Sequence, residues 1–176
     1  MGNVGILFRL REDMETAFER DPSLNSRWEA LLHPTLPSVW IHRVAHQLCL
    51  RGHRMSARAL ANFAKFLTGV DIHPGARIGR RFFIDHGNGV VVGETAVIGD
   101  DVTLYHQVTL GAVGWWRDNH RPVGEARHPR IGNRVVIGAK ATVLGPLVIG
   151  DDVVVPAHSL VLSDIAARRP RDVEAS

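Results

Sequence analysis

An aspartate and an Asp-His pair carry the kinds of side chain that acid–base catalysis requires. Asp71 precedes Ile72, and Asp85-His86 begins fourteen residues later. A carboxylate that holds one imidazole nitrogen makes the other nitrogen a better base, which is the orienting principle of a catalytic dyad. The alternative is that all three are ordinary turn residues bonded to local backbone groups. The choice depends on the elements that position them.

Those elements follow from a six-residue repeat. Aliphatic residues recur at every sixth position, which neither a helix period of 3.6 nor strand alternation alone produces. A hexapeptide repeat does produce it, because each coil of about 18 residues has three short parallel strands with one inward aliphatic per strand. The sequence therefore predicts a parallel β-helix over 70–163. The thirteen residues on this register are Ile72, Ile78, Ile84, Val92, Ile98, Leu104, Leu110, Ile131, Ile137, Val143, Ile149, Val155 and Val161.

The repeat is interrupted twice, and both interruptions hold polar residues. The first adds two residues and contains Asp85-His86. Its side chains are expected to project from the stack, with Asp71 less than one coil away. The second is an inserted loop over 112–130 that contains Arg127-His128 and the tandem Trp115-Trp116. The tryptophans are interpreted as a lid over a ligand or as a partner contact.

The first 69 residues have a helical period instead. Helices are predicted over 9–19, 26–32, 39–50 and 55–67, each ended by a proline or glycine signal or by the change of period at Thr68-Gly69. We therefore predict an α-helical domain over 1–69, the β-helix over 70–163, and a C-terminal tail over 164–176 that lacks the repeat and is expected to fray. The predicted fold class is α+β.

Composition narrows the classes of function. The formal net charge is only +3, and scattered basic residues do not indicate a nucleic-acid surface. A single cysteine, Cys49, excludes an internal disulfide framework and fits a reducing compartment. No apolar run reaches the roughly 20 residues that cross a bilayer, and charges come too early for a signal peptide. The expectation is a cytoplasmic protein without nucleic-acid or membrane partners.

A family resemblance adds to these inferences. The stretch TGVDIHPGARIGRRFFIDHGNGVVVGETAVIGDDVTLY at 68–105 resembles the signature of bacterial serine O-acetyltransferases. The similarity continues through VTLG at 108–111 and RHPRIGNRVVIGAKATVLGPLVIGDDV at 127–153, and covers most of 9–155. It implies a left-handed parallel β-helix beneath a helical domain. It also implies acetyl transfer from acetyl-CoA to the serine hydroxyl, the first step of cysteine biosynthesis.

The resemblance assigns roles to residues one by one. It implies that His86, in IDHG, is the general base and that Asp71, in VDIHPG, orients it. Asp85 and Asp21 match the acids that receive the substrate ammonium. These roles suit the residue types, because a serine hydroxyl is a poor nucleophile until a base takes its proton.

The remaining implied roles concern the carboxylate end and the acyl donor. Arg127, in RHP, matches the residue that binds the amino-acid carboxylate, for which a guanidinium fork is suited. His128 matches the adjacent histidine of the acceptor pocket. Backbone N–H groups near Gly111 are expected to stabilise the oxyanion. Ala139 and Lys140 lie in the segment that lines the CoA groove, where Lys140 is either a phosphate contact or a solvated surface lysine.

The chain departs from the family around the donor. Gln107, Lys140 and His158 replace family glycines, and Ala112-Val113 replaces Gly-Thr, so side chains stand where the family keeps the backbone bare. The Trp-containing loop is longer than the family's usual connection, and the GVPAR segment is absent. The polar terminus 173–176 lacks the apolar terminal residue that docks onto the sulfhydrylase partner, so we expect neither that complex nor ordinary cysteine feedback.

Three alternatives to serine O-acetylation follow. One is an O-acyltransferase of a specialised pathway with another acyl donor or a serine-like acceptor. A second is a non-catalytic regulatory or structural homologue that has lost CoA binding. A metal enzyme is the third and least favoured, because the histidines lack close ligand spacing and no metal is expected. The family also implies a homo-oligomer, either a trimer or a hexamer built as a dimer of trimers.

Overall fold

The computed structural model describes residues 5–118, 120–122 and 124–168. Its N-terminal part is helical, as the period predicts. Ser26 begins the second helix by accepting a hydrogen bond from the Glu29 N–H, and Gly69, in the left-handed conformation, ends the fourth. The helices are α1 (Ile6–Arg20), α2 (Arg27–Ala30), α3 (Leu36–Leu50) and α4 (Arg54–Thr68). None of the described helices is long and apolar enough to cross a membrane.

Short parallel strands follow, with one further helical turn in the second interruption of the repeat. They are β1 (Asp71–Ile72), β2 (Arg77–Ile78), β3 (Phe83–Ile84), β4 (Val91–Val92), β5 (Val97–Ile98), β6 (Thr103–Leu104), β7 (Thr109–Gly111), α5 (Trp115–Asp118), β8 (Arg130–Ile131), β9 (Val136–Ile137), β10 (Thr142–Leu144), β11 (Val148–Ile149), β12 (Val154–Val155) and β13 (Leu160–Val161). Every third strand falls in the same sheet.

Three flat sheets result. Sheet 1 has the order β1-β4-β7-β10-β13, sheet 2 has β11-β8-β5-β2, and sheet 3 has β12-β9-β6-β3. Each described strand contains one of the thirteen repeat aliphatics, and all of them are buried in one continuous core. Full burial of such a side chain contributes about 1.5–3 kcal/mol, so this register is strongly preferred over its neighbours. The predicted fold class is confirmed, in a form consistent with a left-handed β-helix.

The chain turns at three corners, named here by the sheets that they join. Corners 2–3 and 3–1 repeatedly use non-glycine residues with positive φ, between 54° and 62°. At corner 2–3 these are Arg81, Asp101, Arg134 and Asp152, and at corner 3–1 they are His86, Gln107, Lys140 and His158. Corner 1–2 contains the long insertion between β7 and β8. The insertion leaves the pairing of both strands intact, since β7 pairs with β4 and β10 while β8 pairs with β5 and β11.

A buried ion pair joins the helical part to the first coil. The Arg43 guanidinium on α3 binds the Asp13 carboxylate on α1 through Nε at 3.0 Å and Nη2 at 2.8 Å. It also donates to the carbonyl oxygens of Ile78 and Gly79, which belong to β2 and the residue after it. Both charged side chains are at most 5% exposed. Two helices and the first coil are therefore connected through one guanidinium.

The described start of the predicted tail, 164–168, pairs with the last coil. Ile165 forms a parallel bridge with Ile149, and the Arg168 N–H donates to the Asp151 carbonyl at 3.0 Å. Residues 169–176 lie outside the described residues, and the predictions about the polar terminus lie there with them.

Candidate active site

The first interruption places Asp85 and His86 on corner 3–1 of the first coil. They follow β3, and the His86 backbone is held in a left-handed turn, with φ of 58° and its carbonyl accepting from the Asn88 N–H at 2.8 Å. Gly87 follows, and a Cβ on it would stand 2.4 Å from the Thr35 methyl group. The turn therefore needs a glycine where a helical-domain residue presses on the corner. His86 is left exposed beside a half-buried Asp85.

A cleft of about 520 Å³ opens at this corner, between the end of α1 and sheet 3. Its lining combines polar and aromatic side chains. It includes three of the candidate residues together with aromatic and hydroxyl groups, namely Asp21, Asp85, His86, Phe83, Thr103 and Tyr105. The structure thus brings Asp21 beside the Asp85-His86 pair, although 65 positions separate Asp21 from His86 in the sequence.

Asp21 is held in place from both sides. Its Oδ1 accepts hydrogen bonds from the Ser23 hydroxyl at 2.6 Å and the Ser23 N–H at 2.9 Å, which lower the pKa of Asp21. The neighbouring Arg20 anchors the end of α1 to sheet 3 through Asp101 and the Thr103 hydroxyl, each at 2.9 Å. A carboxylate whose ionised form is favoured therefore lines the cleft. Such a group suits an ammonium ligand.

Asp71 reaches the same corner from the start of sheet 1. The Gly89 N–H of the His86 turn donates to the Gly69 carbonyl at 3.0 Å, which keeps the two segments adjacent. The Asp71 carboxylate accepts a hydrogen bond from Lys65 Nζ at 2.7 Å, and this bond raises the pKa of Lys65. Within the described residues no direct hydrogen bond joins Asp71 to His86. The predicted orienting role of Asp71 remains a prediction.

His106 is a neighbour of His86 that the motif alone does not indicate. The two rings meet edge-on with centroids 6.2 Å apart. The residue after His106, Gln107, lies one coil beyond the turn that contains His86. The two turns are adjacent, because the Gln107 N–H donates to the Asn88 carbonyl at 3.0 Å. The coil period of the repeat, applied to the histidine positions, could have indicated this neighbour.

Arg127 and His128 lie at corner 1–2, away from His86. Thr95 holds the His128 ring, because its N–H donates to His128 Nδ1 at 3.1 Å and its hydroxyl lies 2.8 Å from the same nitrogen. The Thr95 hydroxyl oxygen also accepts from the backbone N–H groups of Arg127 and His128. A Cβ on Gly93 would come within 1.9 Å of the ring, so the glycine makes room for it.

The Arg127 guanidinium forms an ion pair with Glu94, which is also within 3.5 Å of Arg54 on α4. These residues line a second cleft, of about 340 Å³, together with Arg121 and other residues of the insertion. Trp115 and Trp116 are 73% and 56% exposed, with their rings edge-on to each other. Glu94, the partner of Arg127, and Thr95, the partner of His128, lie in the segment GETA at 93–96. The family resemblance includes this segment but assigns no role to it.

The positions predicted for the donor lie further along the β-helix. The Gly111 Cα faces the Leu144 side chain, since a Cβ there would stand 2.9 Å from Leu144 Cδ2. Gln107, Lys140 and His158, all exposed, occupy the same left-handed position of corner 3–1 in successive coils. The Lys140 N–H donates to the His106 carbonyl and the His158 N–H to the Ala139 carbonyl. The three replaced glycines therefore form one column of side chains.

In one chain the candidate residues form two half-sites. Asp21, Asp85 and His86, with Asp71 beside them, occupy corner 3–1, whereas Arg127 and His128 occupy corner 1–2. The first half-site offers acids and a base, and the second offers a guanidinium. Among the described residues, no group of three or more His, Cys, Asp or Glu side chains is arranged to hold a metal ion.

Comparisons with known proteins agree on one family. Residues 128–163 match the model "Bacterial transferase hexapeptide (six repeats)". A serine acetyltransferase of Mycobacterium tuberculosis is 51% identical over 161 residues, 91% of this chain and 67% of that relative. One of Helicobacter pylori is 49% identical over 157 residues, 89% of this chain and 88% of that relative.

Solved structures give the same result at the level of the fold. Soybean serine acetyltransferase complexed with serine superimposes with a TM-score of 0.84 at 43% identity, over 93% of this chain and 65% of that chain. Serine acetyltransferase isoform 3 of Entamoeba histolytica, in complex with cysteine, gives 0.84 at 41% identity, over 92% and 56%. The present chain therefore spans a little over half to about two thirds of these solved chains.

Proposed function

Because the chain belongs to the serine acetyltransferase family, we propose that it transfers the acetyl group of acetyl-CoA to the hydroxyl of L-serine. The products are O-acetylserine and free CoA, and the reaction supplies cysteine biosynthesis. The observation that carries the proposal is the cleft in which His86 stands with Asp21 and Asp85. The cytoplasm suits a chain whose one cysteine is unpaired.

The proposed chemistry is a direct acyl transfer. His86 removes the proton of the serine hydroxyl as the oxygen attacks the thioester carbonyl carbon. A tetrahedral oxyanion forms, stabilised by backbone N–H groups near Gly111. The C–S bond then breaks, and the proton carried by His86 passes to the departing CoA thiolate. Asp71 is assigned to orienting His86, which requires that it bind the imidazole in place of, or together with, Lys65.

The acceptor is held at its two charged ends. Asp21 and Asp85 receive the ammonium, and Arg127, beside His128, receives the carboxylate. The carboxylate must compete with Glu94 for the Arg127 guanidinium, or use the N–H groups that Glu94 leaves free. For the donor, Ala139 and Lys140 are proposed to line the CoA groove, and the exposed ammonium of Lys140 suits a phosphate group.

The experiment that tests this function measures CoA release from acetyl-CoA with L-serine, using a thiol reagent. A panel of other acyl-CoAs and serine-like acceptors is run beside it. We expect serine and acetyl-CoA to give the highest kcat/KM. The column of Gln107, Lys140 and His158 favours a second candidate, an O-acyltransferase with another donor. Turnover by a different pair only, with none for serine and acetyl-CoA, would establish that candidate instead.

The separation of the two half-sites supports a homo-oligomeric enzyme. His86 and Arg127 lie at different corners of one chain, so one substrate can bind to both only where two copies meet. We propose a trimer with its sites between neighbouring copies, which the helical parts can pair into a hexamer.

Co-expression of two inactive variants tests this arrangement. We expect His86→Ala and Arg127→Ala each to be nearly inactive alone, whereas the randomly assembled pool regains up to about a quarter of the wild-type activity and purified mixed trimers up to about a third. A site is intact only where an Arg127→Ala copy supplies His86 and the neighbouring His86→Ala copy supplies Arg127. In a random mixture each condition holds for half of the sites, so one site in four is restored. Differently tagged variants allow mixed oligomers to be purified. Mixed oligomers as inactive as the parents would show that one chain supplies both residues.

A further inference from the structure

A buried histidine lies directly behind Asp21 in the ammonium half-site. His33, in the loop between α2 and α3, is 4% exposed, and its Nε2 lies 3.5 Å from Asp21 Oδ2. Its ring packs against the Phe83 ring, with centroids 5.4 Å apart, and Phe83 lines the cleft. His33 therefore lies directly behind two residues that line the cleft. The family motifs in this sequence give it no role.

A hydrogen-bond chain fixes the protonation of the His33 ring. The Thr35 hydroxyl donates to the Ile84 carbonyl at 2.7 Å, because a carbonyl oxygen can only accept. The same hydroxyl oxygen lies 3.1 Å from His33 Nδ1, so it must accept a hydrogen bond from that nitrogen. Nδ1 therefore carries a proton. In the neutral ring, Nε2 presents a lone pair toward Asp21.

Two acceptors, His33 Nε2 and Asp21 Oδ2, thus face each other at the edge of the cleft. Burial lowers the pKa of His33, although the carboxylates of Asp21 and Asp85 oppose the shift and His86 adds to it. The neutral ring is favoured near neutrality, and Ser23 already occupies Asp21 Oδ1. A lone pair beside a carboxylate oxygen is an unfavourable pair until a donor with several N–H groups enters. An ammonium group is such a donor.

We propose that His33 is a further acceptor-binding residue, whose Nε2 accepts a hydrogen bond from the substrate ammonium that Asp21 also binds. This inference rests on the proposed function. Thr35 and the Ile84 carbonyl hold the ring in the required tautomer. One hydrogen-bond chain therefore connects the ammonium site to the strand end that precedes the Asp85-His86 turn. The carboxyl groups alone would bind any cation, whereas the added nitrogen selects a donor with hydrogens pointing in two directions.

The same geometry gives a pH dependence. When His33 takes up a second proton, Nε2–H binds the Asp21 carboxylate and the ammonium loses both acceptors. Because burial lowers the pKa of His33 below its ordinary value, serine affinity is expected to be maintained near neutral pH and to fall only as the pH drops through that lowered pKa. Asp21, Asp85 and His86 also face the ring and can themselves titrate. The pH dependence of serine affinity must therefore also be measured in a variant that lacks only His33.

Three substitutions separate binding from packing. His33→Phe keeps an aromatic ring against Phe83. His33→Asn retains an amide N–H at the position of Nδ1 for Thr35 but removes Nε2, and His33→Gln places an amide oxygen near Nε2. His53→Phe is the matched control, because His53 is exposed at the start of α4. Thermal unfolding selects the folded variants.

The measurements are the Kd of L-serine by calorimetry, the KM of acetyl-CoA, and the inhibition constant of 3-hydroxypropanoate, which lacks the amino group. We expect His33→Phe and His33→Asn to weaken serine about 10–100-fold, as for a lost hydrogen bond to a charged group. We expect His33→Gln to recover part of the loss, with acetyl-CoA and 3-hydroxypropanoate unaffected. The fall in serine affinity at acidic pH should disappear in His33→Phe.

Two results would overturn the inference while leaving the function intact. One is serine affinity within twofold of wild type in a folded His33→Asn protein. The other is an equal loss for serine and 3-hydroxypropanoate, which would assign His33 a purely structural role. A wild-type protein that releases no CoA with serine would instead overturn the proposed function itself, and the inference with it.

Discussion

Replacing His86 with alanine is expected to lower kcat for serine acetylation by about 10²–10⁴-fold. The serine hydroxyl is almost fully protonated near neutral pH, and His86 is the exposed histidine in the cleft that can take its proton as the C–O bond forms. His33 is buried and its Nε2 lone pair is directed at Asp21 and the ammonium site, so it is not expected to replace the lost base. The KM values should change far less than kcat, because the acceptor's charged ends are held by other residues.

The control for this substitution is His53→Ala, an exposed histidine outside both clefts. Initial rates of CoA release and the melting temperature are measured for the wild type and both variants. His86→Ala with wild-type kcat would show that another group removes the proton. If neither the wild type nor His86→Ala releases CoA, the non-catalytic alternative would be favoured.

Loss of Asp13 is expected to have the largest effect on stability. Asp13→Ala leaves the Arg43 guanidinium buried without its carboxylate, which costs about 3–5 kcal/mol. Arg43 also binds the Ile78 and Gly79 carbonyls, so it cannot simply turn toward water. For a chain of this length the melting temperature should fall by about 6–20 °C.

The matched control is Glu19→Ala on the same helix. Glu19 also binds an arginine, Arg81, at 2.7 Å, but its side chain is 51% exposed. An exposed pair contributes at most about 1 kcal/mol, so little change is expected. Urea unfolding followed by circular dichroism compares the two variants. Equal losses would mean that burial of the Asp13–Arg43 pair is not what makes it important.

Much of the fold could be predicted because the repeat reports burial directly. Outside the two interruptions every inward position is the sixth after the last, and an aliphatic at each is enough to specify three strands per coil. The same count places residue 86 after a third strand and residue 127 after a seventh, so their different corners could have been derived from it. The replaced glycines at 107, 140 and 158 could likewise have been recognised as one column.

Other parts of the site could not be predicted in this way. Lys65 reaches Asp71 because α4 ends beside the first strand, and His33 reaches Asp21 because a loop between two helices lies against sheet 3. Both contacts depend on how the helical part packs on the β-helix, which no period in the sequence specifies. The tautomer of His33 depends further on a single hydroxyl, Thr35, and on one carbonyl.

The insertion at corner 1–2 has a consequence for how this protein can diverge. Strands β7 and β8 keep their pairing partners although a long loop joins them, so strand pairing does not depend on the length of that loop. Doubling such a loop adds only about 0.6 kcal/mol of closure entropy. Changes in the length of this insertion are therefore expected to cost little folding free energy. A lineage can change the insertion residues that line the cleft beside Arg127 in a few mutational steps, and a laboratory can exchange this loop between relatives without redesigning the neighbouring coils.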